Sequence, residues 1–293
     1  MTIETCPAPS LTAPRRAVPE GACDTHTHVF GPFDRFPPAM PSVYALPEAD
    51  AATHAAMLAT LGTRRGCLVQ PAPYGSDPSA MLDALRRAKG RLRGVMACGP
   101  DVTDAALAEM HEAGVRALRF VEMRAPNGGR YPGSIGADAL EKLAPRMKEL
   151  GWQAHLWAKA EDHAALLPGL TKLGIPLVLD HMGCPDPAAG PSAPAFNALL
   201  DHLRAGDIWV KLSLCRVSRQ KPGYADARPL HDALIATNPD RLLWGSDWPY
   251  VRMGDLTPDA GALLDLFLDW TGDEALARRI LVENPHRLFA FDD

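Results

Sequence analysis

Apolar residues recur along this chain in short β-rich runs, separated by Ala- and Leu-rich stretches with helical spacing. The runs cover 22–29, 66–71, 92–98, 115–121, 152–158, 175–181, 207–214 and 241–246. The helix-like stretches cover 48–61, 78–89, 103–113, 137–150, 161–173, 194–205, 225–237 and 258–270, and a last helix fits 273–289. A run such as Ile175-Pro176-Leu177-Val178-Leu179 is too continuously apolar for a surface strand. Eight strand–helix units in unbroken alternation predict parallel strands joined by crossover helices. The expected fold class is therefore α/β, a (β/α)8 TIM barrel formed by residues 21–293 as a single domain. Residues 1–20, with Pro7, Pro9, Pro14 and Pro19, read as an irregular arm that wraps the body or a neighbouring subunit.

An open, doubly wound sheet would also alternate. It usually has fewer units, and its first turn often carries a Gly-rich phosphate loop. This chain has no GxGxxG, no GxxxxGK[ST] and no GxSxG, which argues against a nucleotide-binding sheet and a nucleophile-elbow hydrolase.

Length and composition suit the barrel. The 293 residues are 47% apolar and 22% charged, with a formal net charge of −5. No block of like charges appears, so nothing electrostatic points to nucleic acid or a membrane surface. No apolar stretch reaches the ~20 residues of a membrane span. The six cysteines are widely spaced with no CxxC pair. They read as reduced thiols of a cytoplasmic protein rather than disulfides or a structural zinc site.

In such a barrel, functional groups gather at the C-terminal ends of the strands. His26 and His28 end the first run as a His-x-His pair, and alternation puts two residues at that spacing on one face of a strand. His181 closes the sixth run, and Asp247 closes the eighth. Each has a bland alternative: an accidental surface pair, a core histidine bonded to a carbonyl, and a helix N-cap. The coincidence of all four at strand ends favours a site. Three imidazoles and a carboxylate can hold a divalent metal or activate water. Arg119 and Arg216 sit at the ends of the fourth and seventh runs, with Arg124 nearby, and guanidinium groups there would suit an anionic substrate. His155 and Trp157 share a face of the fifth run and are candidates to line the pocket or pack the barrel interior.

The stretches Asp24-Thr25-His26-Thr27-His28-Val29-Phe30-Gly31-Pro32, Val178-Leu179-Asp180-His181-Met182-Gly183 and Leu243-Trp244-Gly245-Ser246-Asp247-Trp248-Pro249 together resemble the amidohydrolase superfamily. Within it they are most similar to the 2-pyrone-4,6-dicarboxylate lactonases and related sugar-acid lactonases. The resemblance spans roughly residues 20–290 and includes the closing helix Glu283-Asn284-Pro285-His286-Arg287-Leu288-Phe289. It implies an amidohydrolase-type barrel and a lactonase, a carboxylic ester hydrolase that opens a small carboxylated lactone in aromatic or sugar-acid catabolism. Asp247 would be the general base. His26, His28 and His181 would polarise the carbonyl, either directly in a metal-free site or through one zinc or manganese ion held by them and Asp247. Arg119, Arg124 and Arg216 would hold substrate carboxylates, with Trp157, His155 and Tyr250 lining the site.

Departures from the family bear on the substrate. Arg119 stands where many superfamily members carry a metal-bridging lysine, which argues against a binuclear centre. Trp157 stands where the pyrone enzymes have tyrosine, Ala72 where they have serine, and Tyr250 where related lactonases often have histidine. A zinc-dependent decarboxylase of an unsaturated carboxylic acid is the competing reaction class, and a non-catalytic binding barrel is a third reading. The partner expected is a small anionic lactone, with the protein a monomer or homodimer.

Overall fold

The computed structural model describes residues 3–291. Eight parallel strands form one sheet: β2 (Cys23–Thr27), β4 (Arg65–Val69), β5 (Leu92–Met96), β6 (Val115–Val121), β7 (Gln153–Trp157), β8 (Leu177–Leu179), β9 (Ile208–Lys211) and β10 (Leu242–Leu243). Each strand neighbours the next, as right-handed β–α–β crossovers require. The helices between them are α1 (Ala51–Leu61), α2 (Ser79–Ala88), α3 (Asp104–Ala113), α4 (Leu140–Glu149), α5 (Ala160–Leu170), α6 (Pro194–Ala205) and α7 (Arg228–Thr237). After the last strand comes α8 (Ala260–Thr271). The structure is the TIM barrel that the alternation predicts.

Local signals place several helix ends. Asp50 caps α1 by accepting a hydrogen bond from the Thr53 amide at 2.8 Å, and Thr103 caps α3 in the same way. The closing helix is less regular than expected. It runs as α9 (Glu274–Arg278), a π-helical turn over Arg279–Glu283, and α10 (Asn284–Phe289).

Two expectations are corrected. The arm is not wholly irregular: β1 (Thr5–Pro7) pairs in parallel with β3 (Leu46–Glu48), outside the barrel sheet. The arm then lies along α8, where Asp259 accepts hydrogen bonds from Thr12 and Asp265 and Asp269 bind Arg15. The eighth strand is also shorter than the run 241–246. After Leu243 the chain bonds across the barrel's seam instead of continuing the ladder to β9. Thr25 donates its amide to Trp244 O at 3.0 Å, Asp247 to His26 O at 2.8 Å, and His28 to Trp248 O at 2.9 Å.

Alternation divides the strand side chains between two apolar cores. The larger core lies between sheet and helices and includes Leu68, Met96, Leu118, Leu156, Leu177 and Leu242. The smaller includes Cys67, Val69, Val95, Ala117, Val178 and Leu243, with Phe289 and Phe291 from the chain's end packed against them. Among the described residues no helix is long and apolar enough to cross a membrane.

The seam has no room to spare. A Cβ at Gly245 would fall 2.6 Å from His26 Cβ and 3.0 Å from His26 N. The Gly245→Ala variant should therefore lose about 1–3 kcal/mol of stability by overpacking. Denaturant unfolding checks this, and an unchanged midpoint would show that the seam relaxes freely.

Candidate active site

The C-terminal ends of the strands surround a cavity of about 760 Å³, counted to its open mouth, that reaches His28, His181 and Asp247. β2 carries His26 and leads directly into His28. β8 leads through Asp180 into His181, which stands in the left-handed region at φ 52°. Asp247 is also left-handed, at φ 69°, a conformation that costs a non-glycine residue energy and clusters at functional sites. Its amide is fixed by the seam bond to His26 O.

Three imidazole nitrogens converge on one carboxylate oxygen. His26 Nε2, His28 Nε2 and His181 Nε2 lie 3.6, 3.5 and 4.0 Å from Asp247 Oδ1. The other oxygen, Oδ2, accepts a 2.5 Å hydrogen bond from Arg216 Nε, and Arg216 Nη1 donates to Val251 O at 2.8 Å. Burial alone would raise the Asp247 carboxyl. Arg216, with His181, His28 and His26, outweighs burial and holds it well below the usual carboxylate range. Burial in turn pulls His181 down to about 4 and His26 well below its ordinary value. At neutral pH an ionised carboxylate thus faces the neutral imidazoles of His26 and His181.

Beneath this centre lies a second charge cluster. Asp180 is fully buried, with Lys211 Nζ 3.0 Å from Oδ1 and Arg119 Nε donating to Oδ2 at 3.0 Å. Burial pushes the Asp180 carboxyl up, but Lys211, His26 and Arg119 more than offset it, leaving it ionised. The pair also controls a proton. His26 Nδ1 lies 3.2 Å from Asp180 Oδ1 and 3.2 Å from Lys211 Nζ. Donating to Asp180 leaves the Nε2 lone pair facing Asp247, whereas accepting from Lys211 puts the proton on Nε2. His28 has no such choice. Its Nδ1 is 2.7 Å from Val69 O, a pure acceptor, so Nδ1 holds the proton and Nε2 is the free acceptor.

The donor set fits one divalent cation. His26, His28 and Asp247 offer ligand atoms within 4.8 Å of one another, and His26 Nε2 is buried without a hydrogen-bond partner. His181 Nε2 completes the same ring of donors around Asp247 Oδ1.

The structure brings together His26, His28, His181, Asp247, Arg119, Arg216 and Trp157. It sets three other candidates apart. Arg124 is half exposed on a separate surface depression beside Glu122, because its strand has already ended at Val121. His155 does share an inward face with Trp157. Two residues of strand put it about 6.6 Å deeper, against Phe289 in the barrel's interior. Tyr250 is buried on the side of the arm, away from the cavity.

Several residues at or beneath the cavity lie outside the sequence expectations. Lys211 sits at the end of a run of buried residues, and a lysine there is the signal that could have found it. Tyr44, Tyr131 and Arg252 line the cavity from loops, where no periodicity marks them. Tyr131 stacks on Trp157 with ring centroids 5.5 Å apart, and the Arg119 guanidinium lies 5.0 Å from the centre of the same indole.

A family model described as an amidohydrolase matches residues 23–291, and the chain belongs to that family. It is 36% identical over 278 residues to a 4-sulfomuconolactone hydrolase of Hydrogenophaga intermedia, covering 94% of this chain and 90% of the relative. It is 33% identical over 286 residues to a 2-pyrone-4,6-dicarboxylate hydrolase of Comamonas testosteroni, covering 94% and 92%. A crystal structure of a probable 2-pyrone-4,6-dicarboxylic acid hydrolase from Acinetobacter baumannii, with citric acid bound, superposes with a TM-score of 0.79. The two share 26% identity over 92% of this chain and all of that one.

The buried Asp180 charge depends on its cations. Lys211→Met should destabilise the fold by about 3–5 kcal/mol, because it strands that charge. Pairing it with Asp180→Asn should recover most of the loss. Chemical denaturation of the two variants checks this, and equal stability of the single variant and the parent would refute the charge balance.

Proposed function

We propose that this amidohydrolase opens the ring of a small anionic lactone by adding water to its carbonyl. One observation carries the reading: Asp247 Oδ1 faces three imidazole nitrogens at 3.5–4.0 Å in a cavity that also holds the guanidinium groups of Arg119 and Arg216. The names of the relatives support it, since both hydrolases act on lactones that carry carboxylate or sulfonate groups.

The geometry suggests the role of each group. A lactone carbonyl seated against the imidazoles leaves room for a water beside Asp247 Oδ1. As the water oxygen bonds to the carbonyl carbon, Oδ1 takes its proton. Arg216 on Oδ2 keeps the carboxylate ionised and turned so that Oδ1 faces the cavity. The oxyanion of the tetrahedral intermediate is held by guanidinium groups and by an Nε2–H of His181, or of His26 when its Nδ1 accepts from Lys211, and not by the acceptor Nε2 of His28. The bond from the carbonyl carbon to the ring oxygen then breaks. Asp247 returns its proton to that oxygen, and the product is a ring-opened hydroxy acid or, from a pyrone, the enol of a keto acid. Arg119 and Arg216 face the substrate's carboxylate.

A single zinc or manganese ion is the group that His26, His28, His181 and Asp247 would hold, and when bound it would supply Lewis-acid polarisation of the carbonyl. The other residues keep the same tasks with or without it: Arg216 orients Asp247, and Lys211 with Asp180 fixes the His26 proton. The six cysteines are all free thiols, which supports a cytoplasmic setting.

Asp247→Asn keeps the shape and removes the base. It should lower kcat for hydrolysis of 2-pyrone-4,6-dicarboxylate or 4-sulfomuconolactone by roughly 10²–10⁴-fold, and it should also lower the melting temperature, because Arg216 loses its buried charge partner. Steady-state kinetics beside a melting curve test this, and full turnover by the folded variant would remove Asp247 from the mechanism.

A further inference from the structure

The loop after β10 carries a cavity residue that the proposed mechanism does not use. Between Asp247 and Gly254 four residues stand at positive φ: Asp247 at 69°, Tyr250 at 60°, Arg252 at 67° and Gly254 at 51°. Three of them are not glycine, so the loop holds a costly conformation that its surroundings must enforce. Two contacts do so on the cavity side. Arg216 Nη1 donates to Val251 O, and Arg252 Nη1 donates to the Tyr131 hydroxyl. The outcome is that Arg252 lines the cavity while remaining exposed to solvent.

Arg252 does not stand alone there. Arg119, Arg216 and Arg252 line the same cavity with Tyr44 and Tyr131, and all three guanidinium groups act electrostatically on the Tyr44 hydroxyl. Arg119 and Arg216 are each tied through Nε to a buried carboxylate, Asp180 and Asp247. Among the described residues Arg252 has no carboxylate partner; its bonded neighbour is a neutral phenol, and its guanidinium carbon lies 5.7 Å from the centre of the same ring. A guanidinium held by a neutral hydroxyl in a cavity keeps its charge available for an incoming anion.

We propose that Arg252 is a specificity-determining residue: with Tyr131 it binds a second anionic group, a carboxylate or sulfonate on the part of the lactone remote from the reacting carbonyl. This rests on the lactonase reading and sharpens it to lactones with two anionic groups. Arg216 links the two ends of such a substrate, since it holds Asp247 through Nε and the backbone next to Arg252 through Nη1.

The test compares 2-pyrone-4,6-dicarboxylate with 2-pyrone-6-carboxylate, using the parent protein, Arg252→Gln and Tyr131→Phe. Arg252→Gln should reduce the ratio of the two kcat/KM values, dicarboxylate over monocarboxylate, by about 10–100-fold, the scale of one lost charge-assisted contact. Most of the change should appear in KM. Tyr131→Phe should reduce it by less, and Arg252→Lys should restore part of it. 4-Sulfomuconolactone serves as the sulfonate arm and distinguishes that group from carboxylate. An unchanged ratio in a folded Arg252→Gln protein overturns the proposal, as does an equal loss on both pyrones. If the parent hydrolyses none of these lactones, the lactonase reading fails by itself. Calorimetric binding of citrate then decides on Arg252: a tenfold weaker Kd in Arg252→Gln supports an anion site there, and an unchanged Kd refutes it.

Discussion

The site depends on the seam where the first barrel strand meets the last. Three backbone bonds cross it, and the one from the Asp247 amide to His26 O makes the Asp247 carboxylate and the first imidazole neighbours by construction. Gly245 lets the two segments approach, since any side chain there would collide with His26. The last strand contributes only Leu242 and Leu243 to the ladder. The segment from Trp244 to Trp248 closes the barrel and turns Asp247 into a left-handed conformation that faces the cavity. The strain of that turn is held by bonds on both sides, the His26 carbonyl below and Arg216 above.

Charge is arranged in two tiers under the cavity. The lower tier is Asp180 with Lys211 and Arg119, and the upper is Asp247 with Arg216. In each, a carboxylate that burial would tend to neutralise is kept ionised by a cation in direct contact. The tiers meet at His26, whose Nδ1 belongs to the lower and whose Nε2 faces the upper. A change in the Lys211–Asp180 pair is therefore felt at Asp247 through the position of one proton. The rim is different in kind: Arg252 is exposed to solvent and is held by the hydroxyl of the buried Tyr131, with no carboxylate partner among the described residues.

Much of this architecture is legible in the sequence, and the residues show why. His26, His28, His181 and Asp247 each close an apolar run, and a polar group at that place in a parallel barrel has only the cavity to face. Arg119, Arg216 and Trp157 follow from the same rule. The rule fails where depth or loop geometry decides. His155 obeys the alternation yet lies a layer too deep, because period two reports the face and not the height. Arg124 and Tyr250 lie beyond their strands, where the backbone no longer dictates direction. Tyr44, Tyr131 and Arg252 reach the cavity from loops without periodicity. Lys211 ends a buried strand, which hints at a buried charge, but its contacts with Asp180 and His26 are what mark its part in the site.

The proposed function rests on the addition of water to a ring carbonyl. Complete turnover of 2-pyrone-4,6-dicarboxylate or 4-sulfomuconolactone in ¹⁸O-labelled water, followed by mass analysis of the product, tests it most directly. Water addition places a single ¹⁸O atom in the newly formed carboxylate, with no loss of carbon dioxide. A product without label, formed by rearrangement or by decarboxylation, would contradict it.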